Sequence, residues 1–185
     1  IIAGEAKGRR LQVPKGEDIR PVTDLIKGAI FNALGPSIQG CSFLDLFAGS
    51  GAMGIEALSR GAEYAVFVES NPAAVRVIQE NLAHCRLESR ARVWKAEVKR
   101  AVSRLAYAGE NFDIIFIDPP FRKAAGHFTL LQPVQQLMKA SSIIIIRLPA
   151  YYKPAEDEFP AGLSIIKTSV YGDSVVYYLC RIMQA

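Results

Sequence analysis

The tetrapeptide Asp118-Pro119-Pro120-Phe121 has the residue types needed to hold an amino group attached to an aromatic ring. The prolines lack backbone N–H groups, so the segment offers a carboxylate and carbonyl oxygens without competing donors. If Asp118 and the carbonyl of Pro119 each accept one N–H, the nitrogen can pyramidalise and direct its lone pair at a methyl group. Phe121 would stack on the base, a contact worth about 1–3 kcal/mol. The alternative is a capped turn with a core phenylalanine.

A second group of residues predicts a nucleotide-type cofactor site. Gly49, Gly51 and Gly54 have G-x-G-x-x-G spacing between a predicted strand and a predicted helix, where glycines allow a sharp turn and close approach to a ligand. Glu69 ends the next predicted strand, where an acid suits the two hydroxyls of an adenosine ribose. A tight turn that binds no ligand is the alternative.

The position of Asp45 favours S-adenosylmethionine over a dinucleotide as that cofactor. Asp45 lies four residues before Gly49, where a carboxylate would repel a pyrophosphate but attract the ammonium group of a methionine moiety. Glu97 follows the third predicted strand, and two interpretations stay equally open for it. It either accepts a hydrogen bond from the amino group of an adenine or acts as an acid at a helix N-terminus.

Alternating strands and helices must position these residues. Apolar runs and helical spacing predict strands over 42–47, 64–69, 90–95, 112–117 and 142–148, and helices over 23–34, 52–60, 71–84, 98–108 and 128–138. Two β-rich runs, 163–170 and 175–182, are joined by a turn and predict a closing hairpin. The pattern is typical of an α/β fold with a mostly parallel sheet and an antiparallel C-terminal strand.

Residues 1–22 are predicted as a small basic N-terminal extension, and residues 23–185 as one α/β domain. Strand-like pieces at 1–4 and 10–14 suggest a hairpin in the extension. The whole chain has 22 Lys and Arg against 18 Asp and Glu, a formal net charge of +4. This charge permits a nucleic-acid partner without requiring one. Half of the 185 residues are apolar, which excludes a mainly disordered or collagen-like chain.

The candidate metal ligands are too scattered to form a metal site, so we expect none. They are Cys41, Cys85, Cys180, His84 and His127. We expect free and mostly buried thiols. The longest aliphatic run, residues 143–146, is far shorter than the roughly 20 apolar residues of a membrane span. The first residues lack the pattern of a secretory signal, so we expect a cytoplasmic protein without membrane contact.

Beyond these motifs, the sequence resembles the bacterial RsmD-type guanine-N2 methyltransferases of small-subunit ribosomal RNA. The resemblance is carried by residues 1–9, 20–24, 31–32, 44–61, 68–69, 81–82 and 112–121, and the run 45–61 is the most specific part. It implies a Rossmann-like class I methyltransferase fold and S-adenosylmethionine as methyl donor. It also implies a guanine of 16S rRNA, within the assembled or assembling small subunit, as the substrate.

The resemblance and the residue chemistry together give a set of expected site residues. The cofactor-binding set is Thr23, Asp45, Phe47, Ala48, Gly49, Ser50, Gly51, Glu69, Ser70 and Glu97. The catalytic set is Asp118, Pro119, Pro120 and Phe121, and the substrate-binding set is Arg20 and Phe121. The chain departs from the family pattern at Leu25 and Gly28, and at Arg147, where the fifth strand of the family often ends in an acid.

Three other functions are compatible with parts of this pattern. The same tetrapeptide would serve a DNA methyltransferase acting on adenine N6 or cytosine N4, although the chain has no large target-recognition domain. A non-catalytic RNA-binding assembly factor and a dinucleotide oxidoreductase are the other two. Methylation of a stacked base would need an exposed or flipped nucleotide, and the small size of the extension suggests that the pre-assembled subunit supplies specificity. We expect the enzyme to be a monomer.

Overall fold

The computed structural model describes residues 1–14, 22–120, 128–155 and 158–182. The strands in these ranges are β1 (Ser42–Leu46), β2 (Tyr64–Glu69), β3 (Ala91–Lys95), β4 (Phe112–Ile117), β5 (Met138–Pro149), β6 (Leu163–Tyr171) and β7 (Ser174–Arg181). The α-helices are α1 (Asp24–Leu34), α2 (Ala52–Ser59), α3 (Pro72–Cys85), α4 (Val98–Tyr107) and α5 (Leu131–Val134). Short 3-10 turns cover Gly35–Ile38, Glu88–Arg90, Phe128–Leu130 and Gln135–Leu137.

These seven strands form one mixed sheet in the order β3-β2-β1-β4-β5-β7-β6. β1 pairs in parallel with β2, and β2 with β3, while β7 is antiparallel to both β5 and β6. The predicted α/β class, with a mostly parallel sheet and antiparallel C-terminal strands, is therefore confirmed. Two compact units make up the chain, Ile1–Val98 and Lys99–Ala185.

The first unit is built around a fully buried strand. All five residues of β1 are buried, because a central parallel strand is covered on both faces. Phe43, Leu44 and Leu46 on β1 and Phe67 on β2 have no exposed surface. In this register Asp45 lies opposite Phe67, one residue before the end of β1.

Side-chain caps fix where two helices of the first unit begin. The Thr23 hydroxyl accepts a hydrogen bond from the N–H of Ile26 at 3.3 Å and caps α1. The Asn71 side chain accepts from the N–H groups of Ala73 and Ala74 at 2.7 and 3.3 Å, and Pro72 is the first residue of α3. Both predicted helix starts are confirmed, since these residues satisfy N–H groups that have no partner within the helix.

The predicted hairpin in the N-terminal extension is wrong, because residues 1–14 contain no strand. Their backbone groups bond instead to side chains of α2. The N–H groups of Ile2 and Ala3 donate to Glu56 at 2.8 and 3.1 Å, and that of Ala6 donates to the Ser59 hydroxyl at 3.0 Å. The described part of the extension, residues 1–14, is named the N-terminal arm, and its first residues lie against α2. The predicted boundary between residues 22 and 23 stays a prediction.

The second unit ends in the hairpin that the sequence predicts. β6 and β7 pair in an antiparallel manner across Gly172-Asp173, and Gly172 adopts φ 57° in the turn. β5 is longer than predicted because Met138 already pairs with Phe112, ahead of an irregularity between Phe112 and Ile114. The Ser142 hydroxyl supports this irregularity by donating to the carbonyl of Phe112 at 2.6 Å.

The predicted continuous helix over residues 128–138 is also wrong. Three short pieces take its place: a 3-10 turn, the four-residue α5 and a second 3-10 turn. Pro133 lies inside α5 and lacks the N–H that a continuing helix requires. Met138 belongs to β5 instead of the helix.

The three cysteines are free thiols, as expected, with Cys41 and Cys85 buried and Cys180 partly buried. Within the described ranges, no helix combines the length and the apolar character that crossing a membrane would require.

Candidate functional site

The glycine loop between β1 and α2 contains three residues in the left-handed backbone region. Phe47, Gly49 and Gly51 have φ 63°, 56° and 78°, and the N–H of Gly51 donates to the carbonyl of Ala48 at 2.7 Å. Glycine adopts this conformation without steric cost, whereas a bulky residue such as Phe47 is strained there. Backbone strain of this kind concentrates at functional sites, which supports the prediction that the loop binds a ligand.

Asp45 joins β1 to the start of α2. Its side chain is 1% exposed, and its Oδ2 accepts a hydrogen bond from the N–H of Gly54 at 2.9 Å. A Cβ at Gly54 would lie 2.3 Å from Cε1 of Phe67, so only glycine lets α2 approach β2 this closely. The third glycine of the motif thus has a packing role, and Asp45 holds the helix start. Binding of a cationic ligand by Asp45 stays a prediction.

Glu69 and Gly49, twenty residues apart in sequence, are in direct contact. The carboxylate at the end of β2 accepts from the N–H of Gly49 at 2.9 Å through Oε2, and from the N–H of Asn71 at 2.8 Å through Oε1. An ionised carboxylate has about four acceptor positions. Two of those positions are taken by the backbone, which leaves acceptor capacity for the hydroxyls of a ribose.

Asn81, on α3, bonds to the glycine loop, although the motif reasoning does not identify it as a site residue. Its amide Nδ2 donates to the carbonyls of Ser50 and Gln12, both at 2.9 Å, and its Oδ1 accepts from the N–H of Gln12 at 2.8 Å. The side chain is 1% exposed. One amide therefore ties the glycine loop to the N-terminal arm. A polar residue on the apolar face of α3, next to Ile78 and Leu82, is the sequence signal that could have identified it.

The other expected cofactor ligands of the first unit have different surroundings. Ala48 and Ser50 are buried within the loop. Thr23, Ser70 and Glu97 are exposed, respectively at the cap of α1, beside Glu69 and between β3 and α4. Their roles toward a cofactor stay predictions. Arg20 and Phe121 lie outside the described residues.

In the second unit, Asp118 bonds to an arginine from the neighbouring strand. The Nε of Arg147 donates to Oδ1 of Asp118 at 2.7 Å, and the two side chains are 6% and 14% exposed. The parallel register of β4 and β5 pairs Ile117 with Ile146, so the next residue of each strand falls side by side. The sequence identifies Arg147 as a departure from the family pattern but does not predict its partner.

Burial and Arg147 act in opposite directions on the Asp118 carboxyl. Burial raises the pKa of Asp118, and the charge and hydrogen bond of Arg147 lower that pKa, with burial having the larger effect. Within the described part of the chain, no hydrogen bond reaches Oδ2 of Asp118. This oxygen is therefore available as an acceptor, and it lies beside Pro119 and Pro120, which have no N–H to donate. Pro119 is buried and Pro120 exposed.

No cluster of three potential metal-ligating side chains occurs among the residues that the structure describes. The geometry instead provides carboxylates and backbone groups suited to organic ligands. In the first unit these surround a glycine loop, and in the second unit they end a buried strand.

Comparison with known proteins finds relatives by sequence and by fold. Ribosomal RNA small subunit methyltransferase D of Escherichia coli K12 is 43% identical over 123 residues, which are 66% of this chain and 60% of that protein. The solved structure of yhhF from Escherichia coli superposes with a TM-score of 0.82 at 33% identity, covering 100% of this chain and 98% of that chain. A hypothetical protein of Thermus thermophilus also gives a TM-score of 0.82, at 32% identity, with 98% of each chain covered.

A family model described as conserved hypothetical protein 95 matches residues 1–180. The match extends over both units and includes the glycine loop and the segment after β4. The resemblance noted in the sequence is thereby confirmed, and the chain belongs to the RsmD-type family of small-subunit ribosomal RNA methyltransferases.

Proposed function

We propose that this protein transfers a methyl group from S-adenosylmethionine to the exocyclic N2 of a guanine in 16S rRNA, on the assembled or assembling small subunit in the cytoplasm. The observation that carries the proposal is the Asp118 carboxylate. It directly follows β4, has one oxygen available as an acceptor and is succeeded by two prolines. Membership of a ribosomal RNA methyltransferase family supports the same substrate class.

The residues of the first unit fit S-adenosylmethionine by their chemistry. Glu69 has acceptor capacity for the ribose hydroxyls, and the left-handed turn at Gly49 gives a ligand close access to the backbone. A Cβ at Gly49 would meet no atom of the described residues within 4 Å, which leaves room for a ligand beside the loop. Asp45 would stabilise the ammonium group by its negative charge. When bound, S-adenosylmethionine supplies a methyl group activated by a sulfonium centre.

In the second unit, Asp118 would prepare the nucleophile. A guanine amino group is a poor nucleophile because its lone pair is delocalised into the ring. Acceptance of one N–H by Asp118 Oδ2 and of the other by the Pro119 carbonyl would favour a pyramidal nitrogen. Held in this way by Asp118 and the Pro119 carbonyl, the nitrogen would present its lone pair to the methyl group that S-adenosylmethionine would supply, and it would release one proton to solvent.

A transfer assay with isotopically labelled S-adenosylmethionine tests this function. Purified small subunits, naked 16S rRNA and duplex DNA would be offered in parallel, and the labelled nucleoside identified after complete digestion. We expect N2-methylguanosine from the subunits, with less label in naked RNA. Label in N6-methyladenine or N4-methylcytosine of the DNA would instead establish the DNA methyltransferase.

Calorimetry with S-adenosylmethionine addresses the two remaining alternatives, the non-catalytic assembly factor and the dinucleotide oxidoreductase. Binding without transfer to any of the three substrates would indicate an assembly factor that retains a cofactor pocket. Absence of S-adenosylmethionine binding together with binding of NAD would favour the oxidoreductase. Binding together with transfer to guanine is the result that we expect.

A further inference from the structure

The ion pair between Arg147 and Asp118 differs from an ordinary surface pair. The guanidinium and carboxylate meet at 2.7 Å, with Asp118 directly after β4 and Arg147 near the C-terminal end of the neighbouring parallel strand β5, and both side chains are largely buried. By contrast, Lys139 and Asp113, near the other end of β4, also meet at 2.7 Å but are 45% and 31% exposed. A buried ion pair carries a large desolvation cost, so it is weak grounds for a purely stabilising role.

The geometry of the pair defines what Arg147 does to the carboxylate. Its Nε donates to Oδ1 of Asp118, and Oδ2 receives no hydrogen bond from the residues that the structure describes. The guanidinium is planar and permanently charged, so it orients a partner carboxylate and favours its ionised form. The oxygen left available is then the one that the proposed reaction needs as an acceptor.

We infer that Arg147 is a positioning residue for methyl transfer, which holds Asp118 as an oriented carboxylate whose Oδ2 receives the amino group of the substrate. This inference rests on the proposed function and adds to it a residue that departs from the usual acid at the end of the fifth strand. Arg147 acts through Asp118 and does not itself contact the reacting atoms.

The charge environment of Asp118 supports this role. Burial raises the pKa of Asp118, and Arg147 on β5 is the charged group among the described residues that opposes this shift. Asp113 and Lys139 pair with each other near the start of β4. Without Arg147, burial would raise the pKa of Asp118 with no opposing positive charge from β5. The carboxyl group would then become protonated at higher pH and lose acceptor capacity.

Substitution of Arg147 by Met and by Lys tests the inference, with Lys139→Met as the matched control at the exposed pair. For Arg147→Met we expect kcat to fall about 10- to 100-fold, as for a displaced catalytic group, with the KM for S-adenosylmethionine within about twofold of wild type. The acidic limb of the kcat–pH profile should move to higher pH by about one pH unit or more. Arg147→Lys should keep the acidic limb near its wild-type pH and retain an intermediate kcat, because the positive charge remains but the planar guanidinium that orients Asp118 does not.

Several outcomes would overturn the inference. Arg147→Met could keep the kcat and the acidic limb of the wild type, or its kcat could rise. Its effects on kcat and on the acidic limb could also equal those of Lys139→Met. A rise in kcat would mean that Arg147 competes with the substrate for Asp118. If Arg147→Met does not fold, a kcat of Arg147→Lys within about twofold of wild type would also overturn it, and an intermediate kcat with an unshifted limb would support it.

A titration without substrate separates this inference from the proposed function. The carboxyl carbon of Asp118 would be followed by NMR against pH in labelled protein and assigned with Asp118→Asn. We expect a higher pKa in Arg147→Met than in wild type, even if the methyl acceptor proves to be different. An unchanged pKa would refute the charge-holding role, whereas absence of guanine methylation by the wild type would refute only the proposed function.

Discussion

The acidic residues of the two candidate sites, Asp45 and Glu69 in the first unit and Asp118 in the second, bond to different kinds of donor. In the first unit Asp45 and Glu69 accept hydrogen bonds from backbone N–H groups, those of Gly54 for Asp45 and of Gly49 and Asn71 for Glu69. In the second unit Asp118 accepts from the side chain of Arg147. The positions of backbone donors are set by the backbone conformation, so they persist when a single side chain is replaced. A side-chain donor, by contrast, is lost through one substitution.

This difference separates binding from chemistry in the proposed enzyme. The first unit offers preorganised carboxylates for the methyl donor, and their positions depend on glycine conformation and on the packing of α2 and α3. The second unit offers a carboxylate whose charge and orientation depend on one arginine. Substitutions in the first unit should therefore change donor affinity, and substitutions in the second should change turnover.

Asp118→Ala provides the largest expected separation of the two effects. Loss of the acceptor for the amino group should lower kcat about 10³-fold or more, in the range for groups that act directly in proton and charge handling. Donor affinity should stay within about twofold, because the carboxylates of the first unit are unchanged. Single-turnover transfer and calorimetry measure the two quantities.

Asp113→Ala is the control for that experiment, since Asp113 lies on the same strand and pairs with Lys139 in a partly exposed position. We expect kcat near wild type and a stability loss below about 1 kcal/mol. Near-normal turnover in Asp118→Ala would contradict both the mechanism and the proposed separation of roles.

Glu69→Gln should show the reverse pattern. The N–H groups of Gly49 and Asn71 bond to different oxygens of Glu69, so the NH₂ group that replaces one oxygen in glutamine would face one of these N–H donors. We expect donor affinity to fall about 10- to 100-fold, equivalent to about 1.4–2.8 kcal/mol, while kcat at saturating donor changes less than about threefold. Glu63→Gln, at an exposed acid just before β2, should leave affinity unchanged. A loss confined to kcat would contradict the proposal that the carboxylates of the first unit act in donor binding.

The two regions also differ in how far the sequence predicts them. The strand, the glycines and the acid of the first unit follow one another locally, so the contact of Glu69 with the loop could be anticipated from spacing. The partners Asp118 and Arg147 are 29 residues apart, and their contact depends on the register of β4 and β5, which a bulge shifts. The hydrogen bonds between Asn81 and Gln12 could not be predicted from the sequence either, because they depend on where the N-terminal arm packs.

Asn81→Ala measures how far the first unit depends on that arm. The substitution would leave the carbonyl of Ser50 and both backbone groups of Gln12 without the amide that satisfies them. We expect the free energy of unfolding to fall by about 2–3 kcal/mol, with weaker donor binding because the loop is less firmly held. Urea unfolding and calorimetry give both values.

Asn111→Ala is the matched control for Asn81, since the Asn111 side chain is exposed and bonds locally to the carbonyl of Gly109. Its effect should lie within about 0.5 kcal/mol. Equal effects of the two substitutions would mean that the arm contributes nothing to the glycine loop.

Gly54→Ala and Gly28→Ala provide the finest test, because they add the same methyl group with opposite expected signs. At Gly54 the new Cβ would lie 2.3 Å from a ring atom of the fully buried Phe67. The clash would displace the N–H that donates to Asp45, so we expect the free energy of unfolding to fall by about 2 kcal/mol. At Gly28, inside α1, the new Cβ would lie 3.7 Å from Ile2 in ordinary contact, and lower entropy of the unfolded chain should raise stability by about 0.4–1 kcal/mol. Thermal and urea unfolding at neutral pH distinguish the two signs. If Gly54→Ala were as stable as Gly28→Ala, the close approach of α2 to β2 would be dispensable, and backbone anchoring of Asp45 could not be what preorganises the first unit.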